Sequence, residues 1–309
     1  MIPPAQAAEA TTARAAGSTG GRRLRAMIRT SRPRQWPKNL LVVAAPLAGG
    51  VLDQPAVLGR VVLAGAAFLL ASAAVYAVND VADAERDRAH PAKRSRPVAS
   101  GELPERHALA LAVGCTALAL AAGLASGVPL LSAAVAGYLA ISFLYSMGLK
   151  HVPGVEAALV ASGFLLRVLG GAAAGRVEPS GWFLLVCSTG ALGVAIAKRY
   201  TERVALGGEA MLHRPVLRSY SAPVLRLSQL AAAAVMTACY LLWASGEPGR
   251  VRPWHLVSAI PLAAALARFA VLTGRRTVRP VEDMIARDGP MLVCEAAWLS
   301  LFIVGLGLG

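Results

Sequence analysis

The feature that most constrains this chain is a series of long apolar runs that recur from residue 38 to residue 308. About 20 apolar residues are the length that an α-helix needs to cross the hydrocarbon core of a bilayer. Charged residues make up only 16% of the sequence, whereas soluble domains average about 25%. The chain is therefore predicted to be an all-α integral membrane protein. The same pattern excludes a disordered chain, a disulfide-stapled secreted domain and an ordinary cytosolic enzyme.

The apolar segments predict a bundle of about nine transmembrane helices. They lie near residues 38–52, 57–81, 107–126, 129–148, 153–174, 180–198, 221–244, 254–273 and 290–308. The first segment is short and contains Pro46, Gly49 and Gly50, and these residue types predict a broken or tilted span. Residues 1–20 are predicted to be a disordered tail, and residues 21–309 a single membrane domain.

The formal net charge of +14 first suggests a nucleic-acid partner, but its distribution favours another explanation. Most of the 31 Lys and Arg residues lie in the N-terminal segment and in alternate loops, all on one side of the predicted bundle. The positive-inside rule then places the N-terminus in the cytoplasm and the C-terminus outside, as an odd number of spans requires. We expect a multi-pass protein of the cell inner (plasma) membrane that binds no nucleic acid.

The strongest chemical signal is a row of acidic residues that begins at the end of the second predicted span. Asn79, Asp80, Asp83 and Asp87 are spaced so that they project from one face of a helix. Stacked carboxylates repel one another unless a cation neutralises them, and hard oxygen ligands suit Mg²⁺. A solvated loop of mixed charge is the alternative. It does not explain why carboxylates, which are costly at membrane depth, begin on one stripe of a spanning helix.

Basic residues follow this acidic row and recur at the ends of later spans. Lys93 and Arg94 come within about ten residues of the acids, close enough to bind the same phosphates as a bound metal ion. A second cluster, after the fourth span, contains Tyr145, Lys150 and Glu156, and Arg167 lies deeper in the fifth span. Ionisable groups at membrane depth are functional by default. An internal ion pair between Glu156 and Arg167 is the alternative.

A third cluster of charged residues ends the sixth predicted span on the same membrane side. It contains Lys198, Arg199 and Arg203. These residues are candidates for phosphate binding. A plain charge run flanking the membrane explains the pattern equally well.

These residues resemble a known family. The motif Asn79-Asp-x-x-Asp83-x-x-x-Asp87, together with Tyr145-Ser-x-x-Leu-Lys150, is similar to motifs of the UbiA superfamily of intramembrane prenyltransferases. The similarity begins near Arg32, in Arg32-Pro-Arg34-Gln-Trp36-Pro-Lys38-Asn39, and covers nearly all of the remaining chain. Classical members carry a second Asp-rich motif after the fourth span, but here Lys150-His-Val-Pro-Gly-Val-Glu156 offers a single carboxylate.

Where the sequence departs from the classical motifs, it resembles one branch of that superfamily. The branch transfers 5-phosphoribose from phosphoribosyl diphosphate (PRPP) to decaprenyl phosphate, a polyprenyl phosphate lipid, in the synthesis of a cell-wall arabinan precursor. The resemblance lies in four stretches: His90-Pro-x-Lys93-Arg94-x-Arg96-Pro97, Ala161-Ser-Gly-Phe-Leu-Leu-Arg167, Lys198-Arg199-Tyr200 and Val216-Leu-Arg218-Ser-Tyr220. It implies a Mg²⁺-dependent transferase whose active site faces the cytoplasm.

The resemblance also implies roles for individual residues. Asp80, Asp83 and Asp87, with Asn79, would hold Mg²⁺ on the diphosphate leaving group, and Tyr145 and Glu156 would face the ribosyl centre. The basic residues would bind the phosphates of PRPP and of the lipid, without individual allocation: Arg34, Lys38, Lys93, Arg94, Lys150, Arg167, Lys198, Arg199 and Arg203.

Two other functions stay open from the sequence. The first is a conventional prenyltransferase that uses a prenyl diphosphate donor and an aromatic or glycerol-phosphate acceptor. The second is a transporter for lipid-linked or anionic solutes, although transporters normally show inverted repeats and helices broken near the midplane. Small-residue spacings such as Gly171-x-x-x-Gly175 permit close helix contacts, within the monomer or in a homo-oligomer.

Overall fold

A computed structural model of the chain describes residues 20–90, 93–206, 215–246, 251–275 and 281–307. Every regular element in these ranges is helical, and eight helices are long and apolar enough to cross a membrane. We number them in chain order: α1 Pro55–Ala82, α2 Glu105–Ala125, α3 Pro129–Met147, α4 Val155–Gly175, α5 Gly181–Leu206, α6 Ala222–Gly246, α7 Val251–Gly274 and α8 Gly289–Gly307. The predicted all-α membrane bundle is therefore confirmed.

The ends of these helices follow ordinary local rules. Their interiors are rich in Ala and Leu, which are strong helix formers. α1 and α3 each begin at a proline, which suits the first helical turn because the missing N–H is not needed there. The predicted spans from the second to the ninth correspond to α1–α8. The predicted tail, residues 1–20, lies outside the described residues except for Gly20, which opens a helix over 20–30.

The first predicted span is not a regular helix. Residues Pro33–Val43 form a 3₁₀ helix, which is followed by a short α-helix over Ala44–Ala48. Prolines at 33, 37 and 46 remove backbone donors that a continuous α-helix would need. At about 2.0 Å per 3₁₀ residue and about 1.5 Å per α residue, the segment still spans roughly 30 Å, the thickness of the hydrocarbon core.

The contacts at its two ends show that this broken segment crosses the bundle. At one end Arg32 forms an ion pair with Asp80, near the C-terminus of α1. At the other end Gly49 lies against Val177, just beyond the C-terminus of α4. The eight regular helices and this segment together give nine crossings in the described part of the chain. Which membrane side each end faces stays a prediction.

Glycines of α4 let the broken segment pack closely. A Cβ added at Gly171 would lie 1.9 Å from the carbonyl oxygen of Val42, and one added at Gly175 would lie 2.9 Å from Cγ of Pro46. The small-residue spacing in α4 therefore serves packing within the monomer. This close packing fixes the position of the broken segment, which carries Lys38, along α4.

The chain reversals that carry the predicted site residues all lie at one end of the bundle, which we call the charged end. α1, α3, α5 and α7 finish there, and α2, α4, α6 and α8 start there. The described residues between these helices at this end include a short helix at Ala84–Ala89, 3₁₀ turns at Leu149–His151 and Pro215–Ser219, and a short helix at Val281–Ala286. The predicted clusters, far apart in sequence, thus share one face of the protein.

Candidate active site

The acidic row keeps the helical register that its spacing predicted. Asp83 ends α1, and a short helix with Asp87 follows. The backbone hydrogen bonds nevertheless continue across the junction, from the Asp83 amide to the Asn79 carbonyl at 2.9 Å and from the Asp87 amide to the Asp83 carbonyl at 2.8 Å. Asp80 and Asp87 are only 2% and 3% exposed. Two carboxylates are thus held side by side in a nearly dry environment.

Basic side chains neutralise these carboxylates. Nη1 of Arg96 lies 2.6 Å from the Asp87 carboxylate and 3.3 Å from that of Asp80, so one guanidinium bridges the two acids. Arg32 pairs with the same oxygen of Asp80, Oδ1, that Arg96 contacts. Lys150 donates to Oδ1 of Asp83 at 2.7 Å. The structure therefore brings the row and Lys150 together.

Arg32 and Arg96 were missed as candidate site residues. Both lie within stretches that the sequence motifs include, beside residues that were selected. The signal that identifies them is geometric, because only the folded chain shows which basic residues reach the carboxylates. We add both residues to the candidate site.

The acidic row offers oxygen ligands of the kind that bind a divalent cation. Oδ1 of Asn79 is buried and has no hydrogen-bond partner, so a hard oxygen acceptor is available next to Asp80. Within the described ranges no three His, Cys, Asp or Glu side chains already converge in a metal-binding geometry, since basic side chains hold the acids. The oxygen donors of Asn79, Asp80 and Asp87 fit Mg²⁺, and these three residues would hold it.

Glu156 and Arg199 have a different arrangement from the predicted one. Glu156 is fully buried and accepts from Nε of Arg199 at 2.7 and 2.8 Å, and Nη2 of Arg199 lies 2.6 Å from the same carboxylate. Arg199 is 4% exposed and also contacts Glu202 at 3.2 Å. The two side chains bind each other and join α4 to α5. Their predicted roles toward the substrate stay predictions.

Arg167 is held inside the bundle by four hydrogen bonds. Its guanidinium donates to Asn39 at 2.9 Å, Ser72 at 2.8 Å, Tyr138 at 3.0 Å and the Gly163 carbonyl at 2.7 Å. These groups belong to the broken segment, α1, α3 and α4. Arg167 is buried, its donors are used within the bundle, and it pairs neither with Glu156 nor with a surface group. Arg167 therefore holds the broken segment, α1, α3 and α4 together, and its predicted part in phosphate binding stays a prediction.

A third charged cluster joins three distant parts of the chain. Lys38 of the broken segment and Lys198 of α5 both donate to Oε1 of Glu282, which lies in the short helix Val281–Ala286. Burial acts to raise the pKa of Glu282, but the two ammonium groups lower it to about 2, so the carboxylate is anionic at neutral pH. Lys38 and Lys198 were predicted site residues. Glu282 was missed, because a single acid in an arginine-rich loop carries no motif.

The other predicted site residues lie at the charged end in less constrained positions. Arg34 and Arg94 are exposed, and Lys93 and Tyr145 are half-buried. Nε of Arg203 donates to the Tyr220 carbonyl at 3.4 Å, and the Tyr220 hydroxyl accepts a hydrogen bond from the amide before α4. Arg203 thus lies beside the turns that lead into α4 and α6.

An apolar cavity of about 970 Å³ opens beside the third cluster. Lys38 lies on its wall, and the remaining wall is almost entirely hydrocarbon and aromatic, from the broken segment and from α4–α8. The lining residues include Leu41, Phe183, Met236, Leu266, Phe269 and Trp298. Its volume is at the upper end of the roughly 300–1,000 Å³ that is usual for ligand sites. Such a cavity suits a hydrocarbon chain.

The fold and this site together define an integral membrane protein with a candidate site for a phosphorylated lipid. Charged groups for a phosphorylated substrate and a cavity for a hydrocarbon chain meet at one end of a helical bundle. The chain matches the UbiA prenyltransferase family over residues 40–283 and belongs to that family. The resemblance seen in the acidic motif is confirmed.

Individual relatives give a finer comparison. The chain is 38% identical over 289 residues to a decaprenyl-phosphate phosphoribosyltransferase of Mycobacterium tuberculosis, covering 92% of this chain and 95% of that protein. A protein of the same name from Corynebacterium glutamicum is 35% identical, covering 91% and 86%. A solved UbiA homolog from Archaeoglobus fulgidus, bound to DMAPP and Mg²⁺, has a TM-score of 0.69 at 19% identity, covering 91% and 98%. This last likeness concerns the fold.

Proposed function

We propose that this protein transfers 5-phosphoribose from PRPP to decaprenyl phosphate and releases diphosphate. The observation that carries the proposal is that the acidic row, with its basic partners, lies at the same end of the bundle as Lys38, which is on the wall of an apolar cavity. The names of the relatives that share 35–38% identity over most of the chain support the same reaction. A polyanionic donor and a lipid anion would thus meet at the charged end.

The donor diphosphate is assigned to the acidic row. Asp80, Asp87 and Asn79 would hold Mg²⁺, and the metal ion would neutralise charge on the departing diphosphate. The presence of Mg²⁺ in the related fold from Archaeoglobus fulgidus supports this cofactor. Arg32 and Arg96, released from the carboxylates, would donate to the phosphate oxygens of PRPP.

The chemistry of the transfer demands little beyond positioning. A phosphate oxygen of the acceptor forms a bond to C1 of the ribosyl group, while the bond from C1 to the diphosphate breaks and its electron pair leaves with diphosphate. The acceptor is already an anion, so no strong general base is needed. Lys150 lies beside Asp83 at the same surface and would help to hold the donor. Catalysis is then mainly orientation and charge stabilisation.

We infer that the charged end faces the cytoplasm of a plasma membrane. The excess of Lys and Arg in the loops at this end supports that orientation. The product would supply the synthesis of a cell-wall arabinan precursor. A homo-oligomer stays a prediction that Gly171 and Gly175 do not support, because both pack within one copy of the chain.

A phosphoribosyl transfer assay tests the proposal. Purified protein with Mg²⁺, labelled PRPP and decaprenyl phosphate should move label into the lipid fraction, and EDTA should stop the transfer. Asp87→Asn should remove most of the activity, while Asp53→Asn, which changes an exposed acid at the opposite end, serves as the matched control. Turnover of a prenyl diphosphate with an aromatic or glycerol-phosphate acceptor, and none of PRPP, would establish the conventional prenyltransferase instead.

A further inference from the structure

Two lysines of the third cluster converge on a single oxygen atom. Nζ of Lys38 lies 2.7 Å from Oε1 of Glu282, and Nζ of Lys198 donates to that same atom. The two ammonium groups are therefore within hydrogen-bonding distance of one common point. One carboxylate between two ammonium groups leaves an excess of positive charge. A phosphate group, with more charge and more oxygen acceptors, suits the same position better.

Lys38, one member of the lysine pair, lies on the wall of the apolar cavity. Lys38 contributes to the cavity wall together with its neighbours Pro37 and Leu40. Ile285, one turn after Glu282 in the same short helix, also lines the cavity. A lipid whose chain lay in this cavity would bring its polar end to these lysines. The ligand chemistry that fits both features is an anionic group attached to a hydrocarbon chain.

A continuous set of contacts leads from the lysine pair to the acidic row. Lys38 donates to Oε1 of Gln35 at 3.0 Å, and the Tyr76 hydroxyl donates to the same atom at 2.9 Å. The guanidinium of Arg32 stacks over the Tyr76 ring at 4.7 Å and pairs with Asp80. The lysine pair is therefore next to the acidic row but separate from its carboxylates. A group bound there would lie between the cavity and a donor held by Asp80.

We propose that Lys38 and Lys198 bind the phosphate of the lipid acceptor, and that Glu282 holds their shared position until that phosphate displaces it. The proposal rests on the proposed function for the identity of the acceptor and allocates the basic residues that the sequence left unassigned. The two lysines exchange one anion, the Glu282 carboxylate, for another, the lipid phosphate. Their positive charges are therefore never left uncompensated. Its side chain is 27% exposed, which leaves it a path to solvent when it is displaced.

A binding experiment without PRPP tests the lysines directly. Farnesyl phosphate and farnesol serve as probes on the purified full chain in detergent. Lys38→Gln and Lys198→Gln should each weaken farnesyl phosphate binding about 10- to 100-fold, the range for a lost charged hydrogen bond, and leave farnesol binding unchanged. Glu282→Gln should strengthen farnesyl phosphate binding, since the competing anion is gone. Arg106→Gln, which removes an exposed charge at the same end, is the matched control.

The outcomes separate this inference from the proposed function. Wild-type affinity for farnesyl phosphate in both lysine variants would overturn the inference. So would a Glu282→Gln variant that binds as weakly as the lysine variants, because the carboxylate would then be required and not displaced. Retained farnesol binding shows that a variant is folded.

Steady-state kinetics show whether the two lysines bind the phosphate of the lipid or a phosphate of PRPP. Each lysine variant should raise the KM for decaprenyl phosphate and leave the KM for PRPP unchanged. If the KM for PRPP rises instead, the lysines belong to the donor site, and the inference fails while the proposed function stands. If the wild-type protein transfers no phosphoribose at all, the proposed function fails, and the farnesyl phosphate measurement still decides the role of the lysines.

Discussion

The buried ion pair between Glu156 and Arg199 gives the sharpest test of how the site is built. Its two members are 0% and 4% exposed, so each loses nearly all hydration on folding. Three nitrogen–oxygen contacts of 2.6 to 2.8 Å compensate that loss. Removing one member of a fully buried pair typically costs about 3–5 kcal/mol, because the other charge is left uncompensated. Glu156→Gln keeps the shape of the side chain and removes only the charge.

The lower end of that range applies here. Arg199 also contacts Glu202 at 3.2 Å, and the Glu202 carboxylate is 37% exposed and therefore partly screened. We expect Glu156→Gln to cost about 3 kcal/mol of stability. The double variant Glu156→Leu/Arg199→Met removes both charges together. It should recover most of the loss, since well-packed apolar residues often replace a buried pair at little cost.

The assay combines thermal unfolding in detergent with steady-state kinetics. Glu156→Gln should lower the unfolding midpoint and the double variant should restore it, while the KM values for PRPP and for decaprenyl phosphate stay within about twofold of wild type. Glu178→Gln, an exposed acid at the opposite end, is the control. A Glu156→Gln variant with a wild-type midpoint and a strongly reduced kcat would refute the reasoning, because Glu156 would then contact the substrate.

Three further predictions follow from single contacts. Asp83→Asn should lower phosphoribosyl transfer about 100-fold or more, the scale for losing one charge-stabilising group, and near-normal activity in membranes that carry the variant would remove Asp83 from the site. Because the pKa of Glu282 is lowered to about 2 from its ordinary 4.5, its ion pairs contribute stability that is complete above about pH 4.5 and is lost as the pH falls toward 2. The unfolding midpoint of the wild type should therefore fall more steeply on acidification than that of Glu282→Gln, and parallel curves would contradict this. Gly171→Ala should reduce the folded yield severely, since its Cβ would lie 1.9 Å from a backbone oxygen, whereas Gly114→Ala, with nothing within 4 Å, should express normally.

The spanning helices and the acidic row were predictable because both are local patterns. Hydropathy over about 20 residues sets a membrane helix regardless of its partners. The spacing of Asp80, Asp83 and Asp87 sets a common helix face, and the backbone hydrogen bonds continue through Asp83 to keep it. The broken first span was also visible in its prolines and glycines. Its 3₁₀ form was not, because that depends on close packing against α4.

The partners of the charged residues were not predictable from the sequence. Glu156 has Arg167 three turns away in its own helix, yet it pairs with Arg199 of α5. The pair of Glu282 with Lys38 joins residues 244 positions apart. Sequence spacing reports neighbours along one helix only, and which helices lie side by side is decided by packing across the bundle. The sequence motifs therefore identified the basic clusters, but they did not show which partner each basic residue contacts.

The proposed acceptor site is positioned by the broken segment, which carries Lys38, and not by one of the regular membrane helices. Asn39 receives a hydrogen bond from Nε of Arg167, and Lys38 is the adjacent residue. Because Arg167 also binds Ser72 of α1 and Tyr138 of α3, it fixes this part of the 3₁₀ segment against three regular helices. The same α1 carries Asp80, two turns beyond Ser72. One buried guanidinium thus sets the separation between the lysine that we assign to the lipid phosphate and the acid that we assign to the donor.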